Sequence, residues 1–401
     1  MSIGTRALRA AGAATIALAA VGTLTLGAAG TASADTDPAP NTAVDLPLPF
    51  PSTRTDPVAV NNSGVIVGTA TNSANQDSAV RWSPDLTPTV LPHLPGDTYS
   101  RAAAVSDDGT AFGYSGDYHP VRWAPDGTLT QLPLLPEDAG GWGYIYTASR
   151  TGIVVGSSEH ALASHGVIWT PDGKVVRLAP LAGDVSSQAV TVNSSGESAG
   201  VSRSADGTTH PVKWHADGTP VALDPTHAYT GAWVVQINDA GTVVAKDATP
   251  AGAPNSEWRS LTWSADGTVT DLGRHSTAHA INASGTVVGR QAGADDIDYT
   301  ATSWGPDGTA TTIGSAYDYT TAVAVNDTGT SVGYTGTKVP SDQHRYALRY
   351  ETDGSLTELN ALPETSYSYA EFITGSGLTV GVRIGYPAPG STTHVPVIWR
   401  P

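Results

Sequence analysis

The sequence predicts an all-β fold: an eight-bladed β-propeller of four-stranded antiparallel blades, with an N-terminal strand completing the last blade. Three observations predict it. Glycine, proline and β-formers dominate the composition. One pattern recurs eight times at intervals of 43 to 48 residues. A spare strand at the start of the mature chain matches a vacancy at its end.

Composition comes first. With 44 Gly, 28 Pro and only 14% charged residues, and without long amphipathic helical patterns after the first segment, helix is expected to be minor. Residues 1–34 read as a secretory signal peptide: Arg6 and Arg9, an apolar stretch from about Ala11 to Gly30, and the small-residue tripeptide Ala32 to Ala34 before Asp35. A membrane anchor is the alternative, disfavoured because Gly and Thr interrupt the stretch. The two arginines are not adjacent, which favours general secretion over the twin-arginine route. Residues 35–401 then form a single propeller domain, secreted and extracellular.

The chain has no cysteine, so an exported domain of this size must be held by its core. Its formal charge of −17 becomes more negative once Arg6 and Arg9 are removed. Such a surface is repelled by phosphate backbones and anionic lipids, so no nucleic-acid partner is expected. No second apolar run is long enough to span a bilayer, so no membrane insertion is expected either.

The strands follow from the repeat. A leading glycine falls at Gly64, Gly109, Gly152, Gly196, Gly241, Gly285, Gly329 and Gly377, and a second small residue comes four positions later, Gly68 in the first copy and Ala245 in the fifth. Three residues before the leading glycine stands Asn, Ser or Thr, as in "NNSG" at Asn61. Asn at the first turn position and Gly at the fourth give a type I turn between strands one and two. "HPVRW" and its relatives, ending on Trp82, Trp123, Trp169, Trp214, Trp263, Trp304, Tyr350 and Trp399, form strand three. "PDG"-type turns lead into strand four, as in "TLTQLP". The eighth copy stops after Trp399 without a fourth strand, and Thr42 to Phe50, "TAVDLPLPF", resembles Thr128 to Pro136, "TLTQLPLLP". Closure of the ring by the N-terminus would hide two sheet edges. A seven-bladed ring with one divergent copy, or an open solenoid, is the alternative.

"HPVRW", "HPVKW" and "HGVIW", each preceded by an "AVN..G..VG"-like turn, resemble the HAF-type extracellular repeat of secreted bacterial proteins. The likeness spans essentially the whole mature chain. It implies an extracellular, propeller-like protein and no particular reaction; "YALRY" and "RSLTW" depart from the pattern.

Both tight turns lie on one face of such a disc, and both variable connections on the other, where binding sites usually lie. Small residues at Ala59, Ala104, Ala280 and Ala324 place strand one innermost. The position eight residues before the leading glycine then rims the channel mouth and is chemically diverse: Asp56, Arg101, Tyr144, Gln188, Trp233, Thr277, Thr321 and Tyr369. Two residues earlier stand Tyr99, Trp142, Tyr319 and Tyr367. The ligand-binding candidates are Asp56, Tyr99, Arg101, Trp142, Tyr144, Trp233, Tyr319, Tyr367 and Tyr369. Aromatic rings with polar edges suit sugars and other flat polar ligands. With 15 Tyr and 10 Trp against 3 Phe, wet-edged rings predominate. The alternative role for these aromatics is filling gaps between blades.

Catalytic and metal signatures are weak. His119, His165 and His210 occupy one repeated outer position and cannot converge, so structural hydrogen bonds are expected. His275 and His279 flank a later inner strand. Asp295, Asp296 and Asp298 form an acidic run without the spacing of a calcium loop. Nothing places Glu137 and Glu257 at glycosidase separation, and Glu371 is the carboxylate to mutate first. No catalytic residue, metal site or cofactor is therefore assigned. Three functions follow: a monomeric binding propeller for a glycan or extracellular protein; an enzyme of lyase or glycosidase type using Glu371, Arg101, His275 and tyrosines; or a structural part of a secreted assembly. The polar short turns argue against the third.

Overall fold

Every copy of the repeat folds as a short antiparallel meander. In the second copy the strands Ser100–Val105, Ala111–Ser115, His119–Trp123 and Leu129–Gln131 pair in chain order. The computed structural model describes residues 40–161, 163–254, 257–293, 298–314, 319–336, 345–359, 365–388 and 391–401; the leader expected over 1–34 lies outside the described residues. Copies three, four, six and seven repeat the four-stranded pattern, and copy five adds a two-residue strand, Tyr229–Thr230. The one named helical element among the described residues is a single 3₁₀ turn, Pro136–Asp138, and none is long and apolar enough to cross a membrane. The chain is thus all-β, built from four-stranded antiparallel sheets in the manner of a β-propeller.

Copies eight and one share a sheet with the N-terminal strand. Ala43–Asp45 pairs antiparallel with Ser391–Trp399, Ala43 opposite Trp399 and Asp45 opposite Val397. The eighth copy thereby gains the strand its own sequence lacks. Arg383 fixes the join by donating from Nη2 to Asp45 over 2.6 Å. The loop after this strand also behaves like the others. Trp82 Nε1 donates to the Pro47 carbonyl (2.7 Å), as Trp123 does to Pro92 (2.7 Å), Trp169 to Pro133 (2.6 Å) and Trp214 to Ala179 (2.6 Å).

The apolar core is divided among the contacts between successive copies. Each of the eight strand-three aromatics, fully buried, anchors a cluster of its own. The cluster around Trp82 joins Leu46, Ile66 and Val80 to Val380 and Ile398, so packing continues from the eighth copy into the first. First strands of successive copies also pack on one another, including the eighth on the first. They form the inner edge, as the alanine register predicts.

Each first strand carries a β-bulge at the same place, six residues before the leading glycine. The extra residues are Val58, Ala103, Tyr146, Val190, Val235, His279, Val323 and Glu371. Flanking residues enter different cores: Ala102 packs with copy one and Ala104 with copy three. The bulge also explains the second glycine. A Cβ on Gly289 would lie well inside van der Waals contact with the Thr277 carbonyl oxygen, and the glycines of six other copies meet their own mouth residue's carbonyl likewise. Only copy five carries a side chain there, Ala245.

The first-position turn residues tie the copies together. Asn282 is typical: its Oδ1 accepts from Thr286 N (2.9 Å) within its own hairpin, and its Nδ2 donates to the Asn326 carbonyl of the next (3.0 Å). Asn61, Asn193, Asn238 and Asn326 donate forward to Ser106, Asn238, Asn282 and Thr374. Asp107 N to Arg150 O (2.9 Å) and Thr151 Oγ1 to Ser194 O (3.1 Å) supply two further links, and Gly375 N donates back to Asn62 Oδ1 (3.0 Å). A direct ion pair joins Arg150 of copy three to Asp327 of copy seven at 3.1 Å.

Two outcomes test these packings. Removing residues 40–47 strips a strand and the Trp82 acceptor, so the purified chain should aggregate or lose several degrees of Tm in a thermal melt. Gly289→Ala should lower stability by about 1–3 kcal/mol in urea denaturation, whereas a substitution at Gly285, where an added Cβ would stand 3.3 Å from the Pro306 side chain, should fail chiefly for its positive φ of 86°.

Candidate functional site

The start of each first strand and the loops beside it form the candidate site, at the end opposite the laced turns. Register places every mouth residue against a strand-two residue five positions after the leading glycine. Asp56 faces Thr69, Arg101 faces Tyr114, Tyr144 faces Ser157 and Trp233 faces Lys246. Thr277 faces Arg290, Thr321 faces Tyr334 and Tyr369 faces Val382.

These side chains gather into two groups rather than the single ring expected from the sequence. In copies two to four, Tyr118 packs against Tyr144 at 4.6 Å between ring centroids and edge-on to Tyr114 at 5.6 Å. Ile145 N donates to the Tyr114 hydroxyl (2.6 Å), and Gln188 Nε2 to the Tyr146 hydroxyl (2.8 Å). Trp142 Nε1 donates to Glu159 (3.0 Å). Burial pushes the Tyr114 phenol far above its ordinary pKa, so it stays protonated and structural.

The second group lies on copies six to eight. The Arg290 guanidinium sits 4.3 Å over the Tyr299 ring and donates to the Tyr319 hydroxyl at 2.7 Å. Tyr299 and Tyr319 meet edge-on at 5.4 Å, and Tyr334 and Tyr369 at 5.1 Å. Arg345 stands 5.8 Å from the Tyr334 centroid and 5.7 Å from that of Tyr369. Burial raises the Tyr334 phenol, opposed by Arg345 and Arg290. Arg345 also forms a parallel bridge to Tyr367, placing that residue beside the group.

The remaining predicted residues stand apart. Trp233 is 37% exposed and belongs to neither group. Asp56 is held by Arg54 and lies 3.4 Å from His394; Arg101 is paired with Asp77 at 2.6 Å, and the Tyr99 hydroxyl donates to Asp117 at 3.0 Å. Glu371, Arg101 and His275 belong to copies eight, two and six, and no contact gathers them. His275 instead stacks on Trp258 at 5.2 Å, because the connection before its strand is only a tight turn. Glu137 bonds Arg177, and Glu257 pairs with Arg274, so each carboxylate is used locally. His119, His165 and His210 bind Asp97, Asp138 and Asp184 at 3.1, 2.9 and 3.0 Å, pinning the loop that enters each first strand. Asp295 and Asp296 lie outside the described residues, and among the described residues no group of three ligating side chains could hold a metal ion.

Sequence reasoning missed the bulge register and the strand-two partners Tyr114, Arg290 and Tyr334. The bulge holds two titratable groups with no hydrogen-bond or ion-pair partner among the described residues, Glu371 and His279. Burial, aided by Asp56, pushes the Glu371 carboxyl up to about 7. Burial, aided by Arg290 and Lys246, pushes the His279 imidazole down to about 3. Both side chains are half-buried by accessible area yet hemmed in on most sides, and it is the enclosure that governs their ionisation. A carboxyl that titrates near neutrality can exchange a proton with a ligand.

No family model and no curated protein matches the chain. Among solved structures, it is similar to puromycin hydrolase complexed with PGG (TM-score 0.51, 14% identity, 84% of this chain and 59% of that one). It is also similar to dipeptidyl peptidase 4 of Porphyromonas gingivalis (TM-score 0.54, 10% identity, 86% of this chain and 60% of that one). A third is the β-propeller domain of the Trilobed protease from Pyrococcus furiosus (TM-score 0.48, 10% identity, 78% and 99%). The chain thus spans under two thirds of the length of the first two. At these identities the likeness is one of fold.

The two unpartnered groups give a pH signature. Glu371 has a raised folded pKa, so its contribution is full below about 4.5 and lost as pH rises through 7, a loss of roughly 3 kcal/mol by pH 9. His279 has a lowered one, so stability falls as pH drops from 6.5 toward 3. Glu371→Gln should therefore raise the Tm at pH 9 and leave it unchanged at pH 4; equal shifts at both would refute the assignment.

Proposed function

We propose that the eight copies close into one eight-bladed β-propeller of the HAF repeat type, exported through the leader, that binds an extracellular ligand at its long-loop mouth. The ligand is a glycan or an extracellular protein. One observation carries this reading: the two ends of the inner strands are treated oppositely. At the turn end, hydrogen bonds run from copy to copy and the Arg150–Asp327 pair bridges copies three and seven. At the other end, tyrosines and arginines of diverse identity stand half-exposed on an otherwise repetitive frame. A rigid scaffold with divergent aromatic groups at one end is how repeat folds build binding sites.

A second reading, an enzyme at the same mouth, is favoured by Glu371 alone. Its proton is available near neutral pH, and no neighbour among the described residues claims it. Without a second convergent acid or base it supplies proton transfer and nothing more.

The purified chain should bind on glycan or protein arrays. Tyr144→Ala and Tyr369→Ala should weaken that binding at least about tenfold, while Asp126→Lys, on an exposed turn at the laced end, should leave it unchanged. Loss on Asp126→Lys with retention on the tyrosine variants would move the site to the other face. Turnover abolished by Glu371→Gln, with ligand affinity kept, would establish the enzymatic reading instead.

A further inference from the structure

The two mouth groups differ in charge. Lys246, Arg290 and Arg345 stand on copies five to seven, and among the described residues none has a carboxylate partner. Arg203 of copy four is likewise without a carboxylate partner among the described residues, whereas Arg54 is neutralised by Asp56, Arg101 by Asp77, Arg259 by Asp271 and Arg383 by Asp45. In a chain with 37 acidic and 20 basic residues, partners are abundant. Cations left unpaired in one arc are therefore available to a ligand.

Arg290 is the clearest case. Nη1 donates to the Tyr319 hydroxyl, Tyr299 covers one face of the guanidinium, and Nε is buried with no acceptor. A guanidinium has five N–H donors, and a buried one without an acceptor carries a desolvation cost that an incoming oxygen relieves. Arg345 lies 5.8 Å from the Tyr334 ring centroid, and it and Arg290 both oppose the rise of that phenol. Tyr334 thus stands within electrostatic reach of both cations, with Tyr369 edge-on beside it.

We infer that this arc recognises the carboxylate of an acidic sugar, an oligosaccharide bearing a uronate, with Arg290 and Arg345 on the carboxylate and the Tyr334 and Tyr369 rings against the sugar. The inference rests on the mouth-binding reading and narrows its ligand. Planar guanidinium donors match a carboxylate's two oxygens. Tyrosine supplies flat contact area with a hydroxyl at its edge, which suits a sugar better than an apolar side chain.

The test is calorimetric titration with trisaccharides of galacturonate, glucuronate and mannuronate, and with the carboxyl-reduced form of each. At least one uronate should bind the native chain, its reduced form about tenfold more weakly or worse, with affinity falling as salt rises. Arg290→Gln and Arg345→Gln should each weaken uronate binding about tenfold; the reduced sugar tests the same point on native protein should either variant misfold. Equal affinity for reduced and acidic sugars, unaffected arginine variants, or tighter binding of an aspartate-rich peptide overturns the inference. So does failure of every uronate. If neutral glycans or proteins then bind and Tyr144→Ala abolishes it, the mouth reading stands alone; if nothing binds, both fall.

Discussion

The extra residue in each first strand is the constraint from which most of the molecule follows. A bulge bends its strand and presses the carbonyl before it toward the neighbouring strand. That carbonyl belongs to the mouth residue, and it lands where a Cβ would otherwise be, which is why the second glycine recurs. The bulge also sends its two neighbours into different cores, so one short strand packs against two adjacent copies. Small side chains suit that double duty, and the alanines of the first strands share it. In copy five, where Ala245 replaces the glycine, the mouth residue Trp233 is among the exposed large apolar side chains.

The same device sorts polar groups by face. At the turn end, the first-position Asn side chains bond from one copy to the next, so changes at them disturb the frame. At the bulge, the apolar side chains are half-buried against a core cluster, as Val58, Ala103, Val190 and Val235 are. Most copies fill that position with Val or Ala, and only Tyr146, His279 and Glu371 bring polar chemistry to it. The opposed displacements of Glu371 and His279 leave both largely uncharged in mildly acidic solution. The inner edge is thus nearly neutral in an acidic protein, and the cations above it act without a strong buried counter-charge.

Much of this was legible in the sequence because a repeat multiplies weak local signals. One "NNSG" suggests a turn; eight such turns at intervals of 43 to 48 residues, each followed by a strand ending on Trp or Tyr, fix strands and turns. The spare N-terminal strand could be matched for the same reason, and it pairs with the eighth copy. The forward bond of Asn61 or Asn282 could not be read, since turn chemistry explains Asn without reference to a neighbouring copy. The bulge escaped because period-two alternation gives no sign of an unpaired residue between two small ones. Mouth residues counted back from the glycine were found, whereas Arg290 and Tyr334 are visible only once strand one is paired with strand two. Arg345 enters from a connection of variable length, where counting fails.

Acidity at the surface and cations at the mouth act over different distances. Beyond a Debye length of about 8 Å in physiological salt, the exposed carboxylates are screened, and what they repel is a long polyanion that must lie across the whole face. Within contact distance, screening is weak, and Arg290 with its unsatisfied donor outweighs the distant field. The two combine into selection by extent of charge: a single terminal anion meets two guanidinium groups, while a continuous anionic strand meets those and the acidic exterior together. Net charge alone argues against anionic partners of every kind; resolved by distance, it argues only against extended ones.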